Sequence, residues 1–316
     1  MNYLRWSYPD APVEGYWGEV TSTIDWCEEN YVVSSYIAEW SNTLTNAVFV
    51  STALYTTYAA YRSQLETKFI LIGLGFALVG IGSWLFHMSL SYNYQLLDEL
   101  PMLYATCIPS WSMICEFTEY LDRPADDDTS INISKKRQVV VGSIIFIGVT
   151  SLSVLYIIFK KPAIHQIAYA LLNICVAAMS FLLTQKKIKD KTAISNLHSC
   201  MVIGTILFLV GFIAWNLDNQ FCSLWIHIRR KYLLLPFGAF FELHGWWHLL
   251  TGTGVYYYIM FLQYLRILTI HKGEDYKFIW RWGFIPEVIQ RDYKPCTNYS
   301  LTLNGPYVIE EEKKNQ

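Results

Sequence analysis

His244 and His248 stand four residues apart in an apolar run that extends to Tyr264. On a helix that spacing sets both imidazoles on one face, where they can share one metal ion. Ser83 and His87 repeat the spacing at the end of an earlier apolar run, and Asp98 and Glu99 open the next one. Three imidazoles from two helices fill three tetrahedral positions and leave a fourth for water, the open arrangement of a catalytic zinc site. Zinc in such a site lowers the pKa of its water toward about 7 and polarises a carbonyl oxygen, two requirements for hydrolysing an amide in an apolar setting. Asp98 is the nearest carboxylate able to take and deliver the proton, and Ser83 is placed to steady a developing oxyanion. The competing reading treats His244 and His248 as interfacial imidazoles that hydrogen-bond neighbouring helices. Adding His87, Ser83 and Asp98 at matching depth favours the metal, because ionisable groups rarely enter a membrane without a role. His165, alone in its apolar stretch, reads as structural, as do His198, His227 and His271.

The elements that must position these groups are hydrophobic spans. Of 316 residues, 53% are hydrophobic and 16% charged, well below the roughly 25% charge of a soluble domain. The spans are Trp40–Tyr61, Phe69–Leu90, Leu97–Cys115, Val139–Phe159, Ala163–Thr184, Ser199–Leu217 and His244–Tyr264. They imply an all-α polytopic membrane protein, a seven-transmembrane-helix bundle. The expected organisation is an exoplasmic or lumenal N-terminal segment over 1–39, a seven-helix domain over 40–267 and a cytosolic tail over 268–316. Span one is rich in Ser, Thr and Asn, which suits contacts between helices. Pro101 and Pro109 predict a kink in span three. Lys and Arg gather after spans one, three and five, which by the positive-inside bias sets the N-terminus outside and the C-terminus in the cytosol. Lys313 and Lys314, near the C-terminus, form a dilysine pattern of the kind read as a retrieval address, pointing to the endoplasmic reticulum membrane or the Golgi. The sequons at Asn132 and Asn298 then face the cytosol, where no glycan is added. A net charge of -2 and the absence of a basic face argue against nucleic acid, and nothing calls for an obligate protein partner. Seven cysteines without a repeated spacing exclude a disulfide scaffold and leave one bridge possible.

Depth is informative. His87, Asp98, Glu99, Asp218, Glu242, His244 and His248 all fall toward the exoplasmic ends of spans that run in alternating directions. Just outside, Asp25, Trp26, Cys27, Glu28, Glu29 and Asn30, with Glu39 beyond, concentrate oxygen ligands of the kind calcium takes. EF-hand order is lacking, and the residues alone favour a solvated acidic loop that caps the first helix.

The stretches STIDWCEENY (22–31), YIAEWSNT (36–43), GSWLFHMSL (82–90), QLLDELPMLY (95–104) and ELHGWWHLLTG (242–252) closely resemble the alkaline ceramidases, the fungal members above all. That resemblance spans nearly the whole chain. It implies an intramembrane amidase that splits ceramide, of phytoceramide or dihydroceramide type, into a sphingoid base and a free fatty acid, with the reverse condensation as a second activity. It assigns zinc to His87, His244 and His248 and catalysis to Ser83 and Asp98. It also implies a calcium site at Asp25, Trp26 (through its carbonyl), Glu28, Asn30 and Glu39, which reverses the preference for a mere cap. A Cys27–Cys222 disulfide in the oxidising lumen and an aromatic pocket at Tyr169 and Trp247 follow from the same likeness. Gly245, beside a zinc ligand, stands where other members often carry Ala. The rival reading is a seven-helix receptor of the progestin and adiponectin receptor type with a structural or signalling zinc. A transporter with a midplane site predicts repeats and broken helices, and neither is evident.

Overall fold

A computed structural model describes residues 5–11, 13–124 and 129–291. The dilysine pattern and the Asn298 sequon lie outside the described residues. Seven long helices dominate: α1 (Trp40–Arg62), α2 (Thr67–Ser89), α3 (Tyr92–Leu121), α4 (Lys135–Phe159), α5 (Pro162–Lys187), α6 (Lys191–Gln220) and, after a short α7 (Cys222–Ile228), α8 (Leu243–Thr269). A π turn over Arg229–Leu233 and a 3-10 turn over Phe237–Phe241 link α7 to α8. Four helices, α2, α4, α5 and α6, are long and apolar enough to cross a membrane by length and composition. The polar groups that hold α1, α3 and α8 below that mark, among them Asn42, Asn46, Gln95, Glu99, His244 and His248, are buried. Their polarity faces neighbouring helices. Conversely, α4, α5 and α6 expose Ile144, Phe146, Ile174 and Ile213, the pattern of helices whose outer surface is solvated by lipid rather than water.

Helices α1, α2 and α8 pack together, with α6 laid against α8 and α3 against α2, while α4 and α5 lean on α3. The α6–α8 contact is close because glycines face each other. A Cβ on Gly204 would stand 3.0 Å from the Gly254 carbonyl, and one on Gly254 would stand 2.9 Å from the Gly204 carbonyl. Small residues at such crossings let backbones approach where lipid supplies no hydrophobic drive. Helix α3 continues through both Pro101 and Pro109 over 30 residues, longer than the apolar span suggested.

The region expected as a plain tail is structured. Strands β1 (Tyr276–Arg281) and β2 (Ile285–Gln290) form an antiparallel hairpin whose turn places Trp282 and Gly283 at positive φ. The all-α expectation therefore needs this small correction. Its physical reason lies across the chain: buried Glu287 pairs with Arg281 of β1 and with Arg62 at the end of α1, and Ser63 Oγ donates to the Val288 carbonyl at 3.0 Å. Nearby, Arg266 reaches Glu66 at 2.8 Å and Glu116 at 3.2 Å. These pairs close one end of the bundle, and the N-terminal segment closes the other. Removing one partner of a buried pair leaves the other charge uncompensated at about 3–5 kcal/mol. Glu287→Ala is accordingly expected to lower the melting temperature in detergent strongly, and an unchanged midpoint would show that the hairpin is not clamped through this carboxylate.

Candidate active site

The three histidines expected from spacing do meet. Ring centroids stand 5.0 Å apart for His87 and His244, 4.8 Å for His87 and His248 and 4.6 Å for His244 and His248. One ligand atom from each lies within 4.8 Å of the others, and all three residues are buried. Among the described residues no second group of three His, Cys, Asp or Glu side chains converges in this way. Two rings have their orientation fixed from behind. Glu39 Oε2 accepts from His87 Nδ1, and Thr45 Oγ1 lies 3.0 Å from His248 Nδ1. Asn46 Nδ2 lies 3.4 Å from the same nitrogen, and the Thr45 hydroxyl also reaches the Ser41 and Asn42 carbonyls of its own helix at 2.8 and 3.1 Å, so two side chains of α1 hold that edge of the His248 ring. A carboxylate or hydroxyl behind an imidazole in this way is the usual outer support of a metal ligand. His244 differs. Its ring stacks on Trp26 at 3.9 Å between centroids and 15° between planes, and its buried Nδ1 has no hydrogen-bond partner. An orphaned buried nitrogen of this kind requires explanation, and a metal ligated by the triad is compatible with it.

The N-terminal segment reaches the triad by satisfying helix ends. The last carbonyls of a helix lack internal partners. Those of α2 take them from the segment: Met88 and His87 carbonyls accept from Ala38 and Glu39 at 2.9 and 3.0 Å, and the Leu90 carbonyl accepts from Thr21 and Ser22. Docking residue 39 onto residue 87 brings the Glu39 carboxylate to the His87 ring. At the start of α1 the free N–H groups of Ser41 and Asn42 donate to Glu28 at 2.6 and 2.8 Å. Asp218 performs the same service for α8: Oδ1 accepts from Leu243 and His244 at 3.2 and 3.3 Å, while Oδ2 accepts from Cys27 at 3.1 Å. Asp218 thus ties a triad member to the loop. Its sequence marked it only as a polar residue at depth, without a role. The disulfide joins Cys27 to Cys222 with Cα atoms 5.3 Å apart, and buried Arg229 donates to the Cys27 carbonyl at 2.7 Å and pairs with Glu242.

Ser83 stands beside Asp98, its hydroxyl on the aspartate side chain. A proline and a glycine explain the approach. Pro101 has no N–H to offer the carbonyl of Leu97 four residues earlier, and its ring crowds that carbonyl. The Leu97 carbonyl leans onto Gly82, where a Cβ would lie 2.0 Å from its oxygen. Only a glycine accepts this, and the contact sets Asp98 opposite Ser83.

The acidic residues expected to bind calcium gather electrostatically without placing three carboxylates on one point. Burial, then the neighbouring Glu39 carboxylate, push Glu28 up to about 8. Glu39 is held well above the usual carboxylate range by burial and by Asp25, and burial raises Asp25, partly offset by the Trp26 N–H. Glu39 Oε1 and Asn30 Oδ1 are buried without partners. Mutually repelling carboxylates beside orphaned oxygens suit a hard divalent cation. Glu28 also performs the capping that the residues alone suggested. Of the expected pocket aromatics, Tyr169 stacks on His165 at 6.2 Å, and Trp247 packs edge-on against Phe208 of α6 at 5.3 Å.

An apolar helical bundle that encloses a polar centre near its loop-covered end is the architecture these contacts define. The sequence pattern of the ceramidase family matches residues 18–289, and the chain belongs to that family. It is 53% identical over 311 residues, 98% of each chain, to alkaline ceramidase YPC1 of Saccharomyces cerevisiae. Identity to alkaline ceramidase 3 of Mus musculus is 34% over 284 residues, 89% of this chain and 97% of the relative. For the alkaline ceramidase of Arabidopsis thaliana it is 25% over 304 residues, 96% and 98% of the two chains.

Gly82→Ala is expected to force α2 from α3, costing about 1–3 kcal/mol and, by parting Ser83 from Asp98, about a hundredfold in the activity that gives the family its name. Gly148, which has open space around it, supplies the control: Gly148→Ala should leave both melting and rate near the parent. Equal behaviour of the two variants would remove the α2–α3 approach from the account of the site.

Proposed function

We propose that this protein hydrolyses the amide of ceramide within the membrane, releasing a sphingoid base and a fatty acid. The observation behind the reading is the convergence of His87, His244 and His248 beside the Ser83–Asp98 pair in a chain of the ceramidase family. The same membership favours a hydrolase over the receptor reading. We read the seven long helices as spans, the N-terminal segment as lumenal, the C-terminal tail as cytosolic and the membrane as endoplasmic reticulum or Golgi. The Cys27–Cys222 disulfide supports that orientation because the lumen is oxidising.

His87, His244 and His248 would hold zinc. Bound there, it would supply Lewis acidity toward the amide carbonyl and a water acidic enough to act near neutral pH. Asp98 takes the proton from the attacking water and delivers it to the departing amine, and the Ser83 hydroxyl donates to the carbonyl oxygen as negative charge builds. Glu39 and Thr45 keep two imidazoles facing inward. Calcium would be held by Asp25, Glu28, Asn30, Glu39 and the Trp26 carbonyl, ordering the cover over the centre. Tyr169 and Trp247 would line the path of a two-tailed substrate entering from the bilayer. In a site with little water, the same groups would run the condensation in reverse.

Purified protein given ceramide in detergent should release fatty acid, lose that activity to a strong chelator and regain it with zinc. His244→Ala should abolish turnover, and Asp98→Asn should lower it by about 10²–10⁴. Full turnover in the His244 variant would refute the assignment. Calcium should raise the melting temperature of the parent, and Asp25→Asn combined with Asn30→Ala should erase that rise. A rise that survives the pair of substitutions would place the cation elsewhere.

A further inference from the structure

A second buried polar cluster adjoins the reaction centre on the side away from the triad. Asp98 turns to Ser83 on α2, and the next residue, Glu99, turns to α4 and α5. Glu99 is 4% exposed. Its Oε2 accepts from the Tyr156 hydroxyl and from Gln95 Nε2 at 3.1 Å. Gln95 in turn is locked to Thr23, donating to its hydroxyl and accepting from its N–H, each at 2.7 Å. One carboxylate oxygen is therefore saturated. The other, Oε1, faces His165 Nδ1 at 3.9 Å, beyond hydrogen-bonding range. His165 is 2% exposed, its ring lies between Tyr156 and Tyr169, and neither ring nitrogen has a hydrogen-bond partner. The nearest acceptors are Oε1 and the backbone carbonyl of Glu99. A structural histidine would use its nitrogens on the protein. This one has neither nitrogen in a formed hydrogen bond, and the acceptors that stand near are those of Glu99, its carbonyl and its Oε1.

We propose that Glu99, Tyr156 and His165 form a binding subsite for a hydroxyl group on the sphingoid portion of the substrate, an inference that rests on the ceramide-hydrolase reading above. An oxygen about 2.8 Å from both His165 Nδ1 and Glu99 Oε1 subtends about 90° between them, close to the bond angles of a hydroxyl oxygen. A hydroxyl donates once and accepts twice, so it satisfies the carboxylate and the imidazole together. A carboxylate would be repelled by Glu99, and an ammonium would leave the imidazole N–H unused. In a two-tailed amide lipid the hydroxyls nearest the amide belong to the amino-alcohol side. Adjacent Cα atoms are 3.8 Å apart, so the subsite begins one residue from Asp98. Tyr156 and Gln95 fix the carboxylate, and Tyr169 fixes the plane of the imidazole.

The test measures kcat/KM of the full-length protein in detergent for dihydroceramide, its 1-deoxy analogue and its 4-hydroxylated analogue. The parent should discriminate by about tenfold to a hundredfold within at least one pair that differs by a single hydroxyl. His165→Phe, which keeps a ring beside Tyr169 and removes both nitrogens, should bring that ratio near one, and Glu99→Gln should reduce it. The ratio is taken within one preparation, so a misfolded fraction cancels. A ratio unchanged in both variants, a parent that does not discriminate, or an equal loss on both members of a pair overturns the subsite. A parent that cleaves none of the three lipids overturns the hydrolase reading and the subsite with it.

Discussion

Everything at the loop-covered end depends on keeping three imidazoles oriented and shielded from solvent inside an apolar bundle. An imidazole deprived of water does not choose its tautomer by itself, because the nitrogen that carries the proton is the one with an acceptor behind it. Glu39 supplies that acceptor for His87, and Thr45 and Asn46 of α1 hold the matching edge of His248. Glu39 can do so only because its backbone is bonded to the carbonyl of the histidine it orients. The cover and the centre are consequently one construction. Trp26 extends the same logic to His244 through ring stacking, and Asp218 extends it through the N–H groups at the start of α8.

The two ends of the molecule divide the work. At the hairpin end, Arg62, Arg281 and Glu287 form compensated charge in a buried setting, where paired geometry specifies which strand lies against which helix. At the other end, charge is left incompletely matched: Glu28, Glu39 and Asp25 face one another, and oxygens on Asn30 and Glu39 stay without partners. Buried polar groups tend to be satisfied throughout a protein. Their concentration at one end separates a region built for stability from a region built to receive something.

Helices α2, α4, α5 and α6 are legible in the sequence because their apolar residues outnumber their polar ones; the span read for α1 matches its helix to within one residue, whereas those for α3, α6 and α8 fall short at one or both ends by five to eight residues. The triad was legible because a four-residue spacing recurs at matched depth in two spans. The hairpin was not. Its strands place Arg281 and Glu287 inward, against the alternation that marks a strand, and the partner that makes this tolerable, Arg62, is more than two hundred positions away. Asp218 and Thr45 escaped for a similar reason: each acts through a contact with a distant element, and an isolated Asp or Thr at the end of a span has many ordinary uses.

The position of the centre along the helices bears on what it can act upon. Ser83 lies six residues before the end of α2, about 9 Å of helix rise, so under the proposed orientation the centre sits just inside the hydrocarbon boundary. The amide of a two-tailed lipid occupies that depth, below its polar head and above its chains. A site at the midplane would require the lipid to sink its hydroxyls into hydrocarbon, and a site in the loops would require it to leave the bilayer. The apolar outer faces of α4, α5 and α6 bring lipid chains alongside the flank where Glu99 and His165 are buried. Under that orientation, depth alone would restrict the substrate to molecules whose cleavable bond lies at the interface, and the residues around Asp98 would need only to distinguish among those.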